Sequence, residues 1–225
     1  MNIKENLEKI QETIAQAAQK SGRSPQEITL VAVTKTMPVE IIKQAISYGI
    51  RIIGENKIQE AKTKKAAITE EIKWHMIGHL QTNKVKDAVQ IFDLIHSVDS
   101  LKLALEINKK AADLNKIMPI LLEVNISQEP SKYGLTKDDT SYLLEKIAHL
   151  NNIKIKGLMT MAPYEAPETE IRKIFSELRE LKNKIREQKI NNIAMDYLSM
   201  GMSSDYHLAI EEGANMVRIG SALFS

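Results

Sequence analysis

The sequence predicts an α/β fold, a single (β/α)8 barrel of the TIM type with an extra N-terminal helix, spanning residues 1–225 as one domain. Eight short apolar runs alternate with helical segments, an order that is typical of parallel sheets. Eight such units in a chain of 225 residues suit a closed barrel. An open, doubly wound sheet is the alternative, but no Gly-x-Gly-x-x-Gly turn follows any strand, which weakens it.

Each element follows from its local pattern. Residues 2–20 have apolar side chains at helical spacing before a Ser-Gly stop. The first strand, 28–36, is an apolar β-branched run, typical of a strand buried on both faces. The later strands cover 51–56, 72–80, 92–98, 118–125, 153–159, 195–199 and 215–220, and the helices between them cover about 39–47, 57–69, 83–89, 101–114, 137–149, 168–187 and 206–212. No helix is predicted after the eighth strand, and we expect the N-terminal helix to occupy or adjoin that gap.

The composition excludes several classes of protein. With 43% hydrophobic and 27% charged residues the chain is an ordinary globular sequence, and a net charge of +2 gives no bulk attraction to nucleic acid or to a membrane. The absence of cysteine excludes disulfides and thiolate metal sites. The five histidines lack a metal-ligand spacing, so we expect no metal. No apolar run approaches membrane-spanning length and the N-terminus is charged, so we expect a cytoplasmic protein.

The first strand ends in a lysine, Lys35. A lysine at the mouth of a buried strand is desolvated, which lowers its pKa and favours Schiff-base chemistry. The alternative is a side chain that reaches out to solvent. The strand alone does not decide between them.

Polar residues at the ends of the seventh and eighth strands suggest an anion site. The loop 199–205 combines Gly201, Ser203 and a helix start, and Gly220-Ser221 follows the eighth strand. In a barrel these carboxyl ends share one rim, where phosphate is often bound after strands seven and eight. The alternative is an ordinary N-cap by Ser or Asp.

Arg218 lies inside the apolar eighth strand, where a guanidinium needs an acceptor. A buried ion pair with Asp196 or Glu123 would supply one, and so would the ring nitrogen of a pyridine cofactor. A reactive lysine, a phosphate cradle and a cation facing a ring nitrogen together describe a site for pyridoxal 5′-phosphate (PLP).

The motifs carry a family resemblance. The chain resembles the pyridoxal phosphate homeostasis proteins in segments that run in order from the first strand to the last, namely 31–35 (VAVTK), 54–60 (GENKIQE), 74–84 (WHMIGHLQTNK), 132–134 (KYG), 157–161 (GLMTM), 198–203 (LSMGMS) with Asp205, and 217–220 (VRIG). The family is similar to the barrel domain of alanine racemase and of eukaryotic ornithine decarboxylase.

The resemblance implies PLP as cofactor, held as an aldimine on Lys35. It implies further that Arg218 faces the ring nitrogen and that Ser203, Gly220 and Ser221 hold the phosphate. The other rim residues expected at the cofactor are Asn56, His79 and Met200, although core filling is the commoner use of methionine. Whether Lys84 or Lys132 acts as a second cofactor lysine stays open.

Two functions remain. An amino-acid racemase of the alanine racemase type would need a second acid or base, which in those enzymes comes from a second domain that this chain has no room for. His79 and Tyr133 could serve locally, but a strand-end hydrogen bond and loop packing explain them equally well. We therefore expect a non-catalytic carrier that buffers or delivers PLP, as a monomer with PLP-dependent apoenzymes as transient partners. The charged stretch 57–65 is expected to be a solvated helix face.

Overall fold

The computed structural model describes residues 2–225 and forms one closed barrel of eight parallel strands in chain order. The strands are β1 (Thr29–Val33), β2 (Ile52–Glu55), β3 (Lys73–Met76), β4 (Leu94–Val98), β5 (Met118–Glu123), β6 (Ile153–Met159), β7 (Ile193–Ser199) and β8 (Met216–Ile219). The predicted fold class is confirmed.

Helices follow the strands in regular alternation. They are α1 (Ile3–Lys20), α2 (Val39–Ser47), α3 (Ile58–Ala67), α4 (Val85–Ile91), α5 (Leu101–Ala112), α6 (Lys137–Ile147), α7 (Glu168–Glu187), α8 (Tyr206–Glu211) and α9 (Ser221–Phe224). The one-turn helix α9 corrects the prediction that no helix follows the eighth strand. The extra helix α1 packs against both α8 and α9 and so closes this side of the barrel. Within residues 2–225 the structure contains no helix that is both long and apolar enough to cross a bilayer.

The largest differences from the predicted strand ends are in β1 and β3, which end at Val33 and Met76 instead of at residues 36 and 80. After β1, the Met37 N–H donates to the Thr34 carbonyl, and Thr36 takes a positive φ of 62°, so the chain turns immediately. After β3, the backbone of Gly78 lies against Asn56, where an added Cβ would be 2.5 Å from the Asn56 oxygen. Both deviations occur at the carboxyl rim, because there the chain leaves the ladder to form loops.

The lumen of the barrel is not purely apolar. Its apolar cluster consists of Val31, Leu94, Leu121, Met159 and Met216. His96 on β4 lies 3.0 Å from the Ser199 hydroxyl on β7. Because β4 and β7 are not neighbours in the barrel, this contact crosses the lumen. A second, larger core fills the space between the barrel and its helices.

Candidate functional site at the carboxyl rim

Arg218 is the central buried cation of the rim. Its side chain is on β8 and the residue is 4% exposed. Nη1 donates to the Ser199 carbonyl at 2.9 Å and to the Ser199 hydroxyl at 2.8 Å, and Nη2 donates to the Thr160 carbonyl at 3.0 Å. A guanidinium has five N–H groups, so two of them have no acceptor among residues 2–225.

The ion pair with Asp196 or Glu123, the alternative explanation of Arg218, is not formed. Asp196 pairs with Lys156 instead, and Glu123 makes no salt bridge within 4 Å among the described residues. Burial lowers the pKa of Arg218 to about 10, and the more distant charges of Glu123 and Asp205 oppose that shift. Arg218 therefore stays protonated at neutral pH, surrounded by neutral acceptors.

Glu123, at the end of β5, is the second unusual group. The residue is 4% exposed, and its carboxyl has no hydrogen-bond partner within residues 2–225. Burial raises the pKa of Glu123 to about 7; the charge of Asp99 adds to the shift, and Arg218 opposes it. A carboxyl with this pKa changes its charge near neutral pH.

The loops after β7 and β8 meet at Ser203. Its hydroxyl oxygen accepts hydrogen bonds from the backbone N–H groups of Gly220 and Ala222, both at 3.2 Å. The two N–H groups and the hydroxyl lie together, and we call them the donor cradle; both N–H groups donate to the Ser203 oxygen here, so a bound anion would replace that oxygen as their acceptor. An anionic oxygen is the ligand that such a set favours.

The structure does not support the N-cap alternative for this loop. Asp205 precedes α8, but its carboxylate accepts from the Met202 N–H at 2.6 Å, before the helix, and makes no capping bond within it. The loop depends on Gly201, which has φ +91°, and an added Cβ there would lie 2.6 Å from the Ala209 Cβ. The loop is therefore held in one shape by its own contacts.

Lys35 lies at the same rim but is not buried. β1 pairs with β8, and Val33 packs against Gly220 of the donor cradle two residues before Lys35. The Lys35 side chain is exposed. This corrects the argument that burial at the strand mouth desolvates the ammonium, because the early turn after β1 brings the side chain to the surface.

The structure places two other predicted residues on a separate part of the rim. Asn56 and His79 follow β2 and β3 and line a cavity of about 270 Å³ together with Lys84. His79 Nδ1 is 3.4 Å from Asp99 Oδ2, and its ring stacks on Tyr133 with centroids 3.9 Å apart. His79 thus lies beside a carboxylate and packs on an aromatic ring, and this packing agrees with the loop-packing explanation that the sequence offered for Tyr133.

Three remaining candidates differ in what they offer. Ser221 is exposed beside the donor cradle. Met200 is fully buried in the hydrophobic core, so only its backbone is available to a ligand. Lys132 Nζ pairs with Glu129 Oε1 at 2.7 Å. Among residues 2–225 there is no group of three His, Cys, Asp or Glu side chains arranged to hold a metal ion.

Sequence reasoning placed Thr160 and Ser199 at the rim but missed that they support Arg218, and it missed the two histidines. Thr160 and Ser199 accept from its guanidinium, and His96 and His75 extend the contact through the lumen. A signal did exist, since His75 and His96 each interrupt an apolar strand and a buried imidazole needs a partner.

Together, the fold and the site define a (β/α)8 barrel of the alanine racemase N-terminal type. The profile of the family described as "Alanine racemase, N-terminal domain" matches residues 5–225. An alanine racemase from Clostridium difficile 630 superposes with a TM-score of 0.78, but at 17% identity and over 56% of its own chain, so it shows the fold alone.

Closer relatives define the family. The pyridoxal phosphate homeostasis protein of Aquifex aeolicus is 41% identical over 100% of this chain and 98% of its own, and that of Escherichia coli K12 is 37% identical over 99% and 96%. The chain belongs to the pyridoxal phosphate homeostasis protein family. The structure of PipY from Synechococcus elongatus, determined with PLP bound, is 35% identical, has a TM-score of 0.84 and covers 94% of this chain and 100% of its own.

Proposed function

We propose that this protein binds PLP at the carboxyl rim of its barrel and acts in PLP homeostasis, as a carrier that buffers or delivers the cofactor. The observation that carries the proposal is Arg218, a buried guanidinium with two N–H groups free, at the rim that also holds Lys35 and the donor cradle. Relatives that match along nearly the whole chain are named pyridoxal phosphate homeostasis proteins, and the similar protein PipY was determined with PLP bound.

The residues present fit the three polar groups of the cofactor. When bound, PLP supplies an aldehyde that condenses with a primary amine and releases water. Lys35 offers the amine, exposed and therefore accessible to the aldehyde. Arg218 offers its free N–H groups to an unprotonated ring nitrogen, because a guanidinium can donate but cannot accept.

The phosphate would be held by the donor cradle, that is by the Gly220 and Ala222 N–H groups and the Ser203 hydroxyl. We assign Ser221 to the same group because it is exposed next to these donors. Asn56 and His79 would border the cofactor from the β2–β3 side, and Met200 would contribute only its backbone. No residue is assigned a catalytic role.

The carrier function is favoured over racemisation. The solved alanine racemase is only 17% identical, whereas the named homeostasis relatives reach 41%. The local candidate acid or base, His79, is stacked on Tyr133 and lies beside Asp99. We propose that residues 1–225 act as one PLP-binding domain, as a monomer in the cytoplasm, with PLP-dependent apoenzymes as transient acceptors. Light scattering checks the monomer.

Replacing Lys35 tests PLP attachment. The purified protein incubated with PLP should absorb in the visible range, and borohydride should fix one pyridoxyl group on Lys35, located by peptide mass spectrometry. Lys35→Ala should abolish both signals, because it removes the amine that the proposal assigns to the aldehyde. Lys57→Ala is the matched control, an exposed lysine that follows the neighbouring strand β2 and should leave the label unchanged.

The same experiment locates any second cofactor lysine. A label that moves to Lys84 or Lys132 in the Lys35→Ala variant would identify one, whereas no label on wild-type Lys35 would refute the assignment of this residue. To separate carrier from enzyme, the PLP-loaded protein is mixed with an apo PLP enzyme. Activity recovered faster than from equal free PLP supports delivery, and turnover of an amino acid by the protein itself would contradict it.

A further inference from the structure

A chain of buried hydrogen bonds begins at Arg218 and crosses the barrel. The guanidinium donates to the Ser199 hydroxyl at 2.8 Å, the same hydroxyl lies 3.0 Å from His96 Nδ1, and His96 Nε2 lies 3.0 Å from His75 Nδ1. Ser199 and His96 are 0% exposed and His75 is 5% exposed. Four residues from four strands are therefore linked inside the lumen, away from bulk water.

The hydrogen atoms in this series of hydrogen bonds have only one arrangement in which every donor has an acceptor. Both imidazoles are neutral, because burial lowers the pKa of His75 to about 4 and that of His96 well below its ordinary range. Arg218 can only donate, so the Ser199 oxygen accepts from it and the Ser199 hydrogen is left for His96 Nδ1. His96 then carries its hydrogen on Nε2 and donates it to His75 Nδ1.

The reverse direction would leave a proton without an acceptor. If His96 carried its hydrogen on Nδ1, Ser199 would receive two hydrogen bonds and its own hydrogen would have no acceptor within residues 2–225. A buried donor without an acceptor costs about 1–3 kcal/mol. The forward direction is thus the stable one, and it places the hydrogen of His75 on Nε2 as well.

The far end of the chain opens at the opposite mouth of the barrel. His75 lines a cavity of about 460 Å³, bordered among others by Thr29, Lys73 and Tyr197. His75 Nε2 has no protein partner in the part of the sequence that the structure describes, and the cavity beside it leaves its hydrogen free to be donated to solvent. Each group in the series therefore donates its hydrogen in the direction that leads away from Arg218.

We propose that Ser199, His96 and His75 are positioning residues for Arg218, which hold its guanidinium so that two N–H groups face the ligand at the carboxyl rim. The name of that ligand rests on the proposed function, but the positioning does not. Since the Ser199 hydroxyl and carbonyl both accept from Nη1, they fix the plane of the guanidinium, and the two histidines fix the hydroxyl.

The arrangement is tested without any cofactor. Nitrogen-15 spectra of the ligand-free protein, with labelled histidine and arginine, report the tautomer of each ring and the rotation of the Arg218 guanidinium. We expect the Nε2–H tautomer for His75 and His96 at neutral pH, and separate, slowly exchanging Nη signals for Arg218. An Nδ1–H tautomer or a charged ring at His96 would overturn the proposal.

Variants test the link to Arg218. Ser199→Ala should merge the Nη signals of Arg218, weaken PLP binding about tenfold and shift the visible absorption band, and Ser199→Thr should restore all three because it keeps the hydroxyl. Ser97→Ala is the matched control. Ser97 is a buried serine whose hydroxyl donates to the Gly78 carbonyl at 2.6 Å and takes no part in the hydrogen bonds that lead from Arg218 to His75. If Ser199→Ala changes only thermal stability, as Ser97→Ala should, the residues are structural and not positioning.

The two proposals fail separately. If the wild-type protein does not bind PLP, the proposed function is wrong, while the histidine tautomers and the Arg218 signals still judge the positioning. His96→Asn gives a second variant should Ser199→Ala not fold, and it should mobilise the Arg218 guanidinium in the same way.

Discussion

The barrel contains two buried cations with opposite surroundings. Lys64, on α3, is 7% exposed, and its ammonium lies 2.7 Å from Glu55 Oε1 and 2.7 Å from the Thr34 carbonyl. Arg218 is 4% exposed and donates only to neutral oxygens, with Glu123 and Asp205 acting on it from farther away. One cation is closed in an ion pair, and the other keeps donors free.

This difference separates a structural charge from one that can bind. In the Lys64–Glu55 pair the ammonium is already occupied by Glu55 Oε1 and the Thr34 carbonyl, whereas Glu55 Oε2 is buried without a hydrogen-bond partner among residues 2–225. Lys64 and Glu55 tie α3 and β2 to the turn that follows β1, so they support the backbone next to Lys35. Arg218 has no carboxylate paired with it and keeps two N–H groups free, and for this reason we propose that it contacts the ligand.

Removing the ammonium of Lys64 should have the largest effect on stability. Lys64→Met leaves the buried carboxylate of Glu55 uncompensated, and breaking such a pair costs about 3–5 kcal/mol. Urea unfolding measures the loss, and PLP affinity of the remaining folded protein should stay close to that of the wild type.

Two variants check the reason for that loss. Lys62→Met removes a lysine on the same helix that is 62% exposed and 3.9 Å from Asp87, so it should change the unfolding free energy by less than about 0.5 kcal/mol. Glu55→Gln combined with Lys64→Met should recover part of the stability, since no charge is then left alone. A loss below about 1 kcal/mol for Lys64→Met would show that the pair is not structural.

The sequence predicts those features of the two cations that depend on neighbouring residues in the sequence, and not those that depend on distant ones. The strand ends are local, and because parallel strands share one carboxyl rim, Lys35, Ser203 and Gly220 could be grouped in advance. The burial of Lys64 could not, since it sits among charged neighbours in a stretch that predicts a solvated helix face. The expectation fails at Lys64 alone, because its ammonium reaches Glu55 at the end of β2 and the Thr34 carbonyl just after β1, whereas Lys57, Lys62 and Lys65 are exposed.

The contacts inside the lumen could not be predicted from sequence patterns either. The hydrogen bond between His96 and Ser199 joins residues separated by 103 positions across the barrel. The sequence indicated that Arg218 needed an acceptor and offered Asp196, Glu123 or the ring nitrogen of a cofactor, but not the Ser199 and Thr160 oxygens that accept from it. Asp196 is taken by Lys156, and Glu123 acts on Arg218 only at longer range.

The charge near Arg218 depends on pH, because the carboxyl of Glu123 titrates near neutrality. Its pKa in the folded protein is about 7, against an ordinary 4.5. Between these values the folded state keeps a proton that the unfolded state has lost, so its contribution to stability is fully present below about pH 4.5 and is lost as pH rises through 7.

Glu123→Gln isolates this contribution. The wild type should lose about 3 kcal/mol relative to the variant between pH 4.5 and 8, measured as the difference of their urea unfolding free energies. The difference cancels His75, whose lowered pKa has the opposite effect at acid pH. If the two proteins show the same pH dependence, Glu123 is not protonated near neutrality and Arg218 has a permanent counter-charge.

Arg218→Lys tests the free donors directly, with a smaller expected effect. Lysine keeps the positive charge but loses the planar fork, so it cannot serve the Ser199 and Thr160 oxygens and a ring nitrogen at the same time. We expect PLP affinity to fall about tenfold, or about 1.4 kcal/mol, by absorbance titration. Lys64→Arg is the matched control, because a wider cation at the closed pair should reduce stability and leave affinity alone. If Arg218→Lys instead lowers stability without changing affinity, the two cations are both structural, and the free N–H groups of Arg218 do not face the ligand.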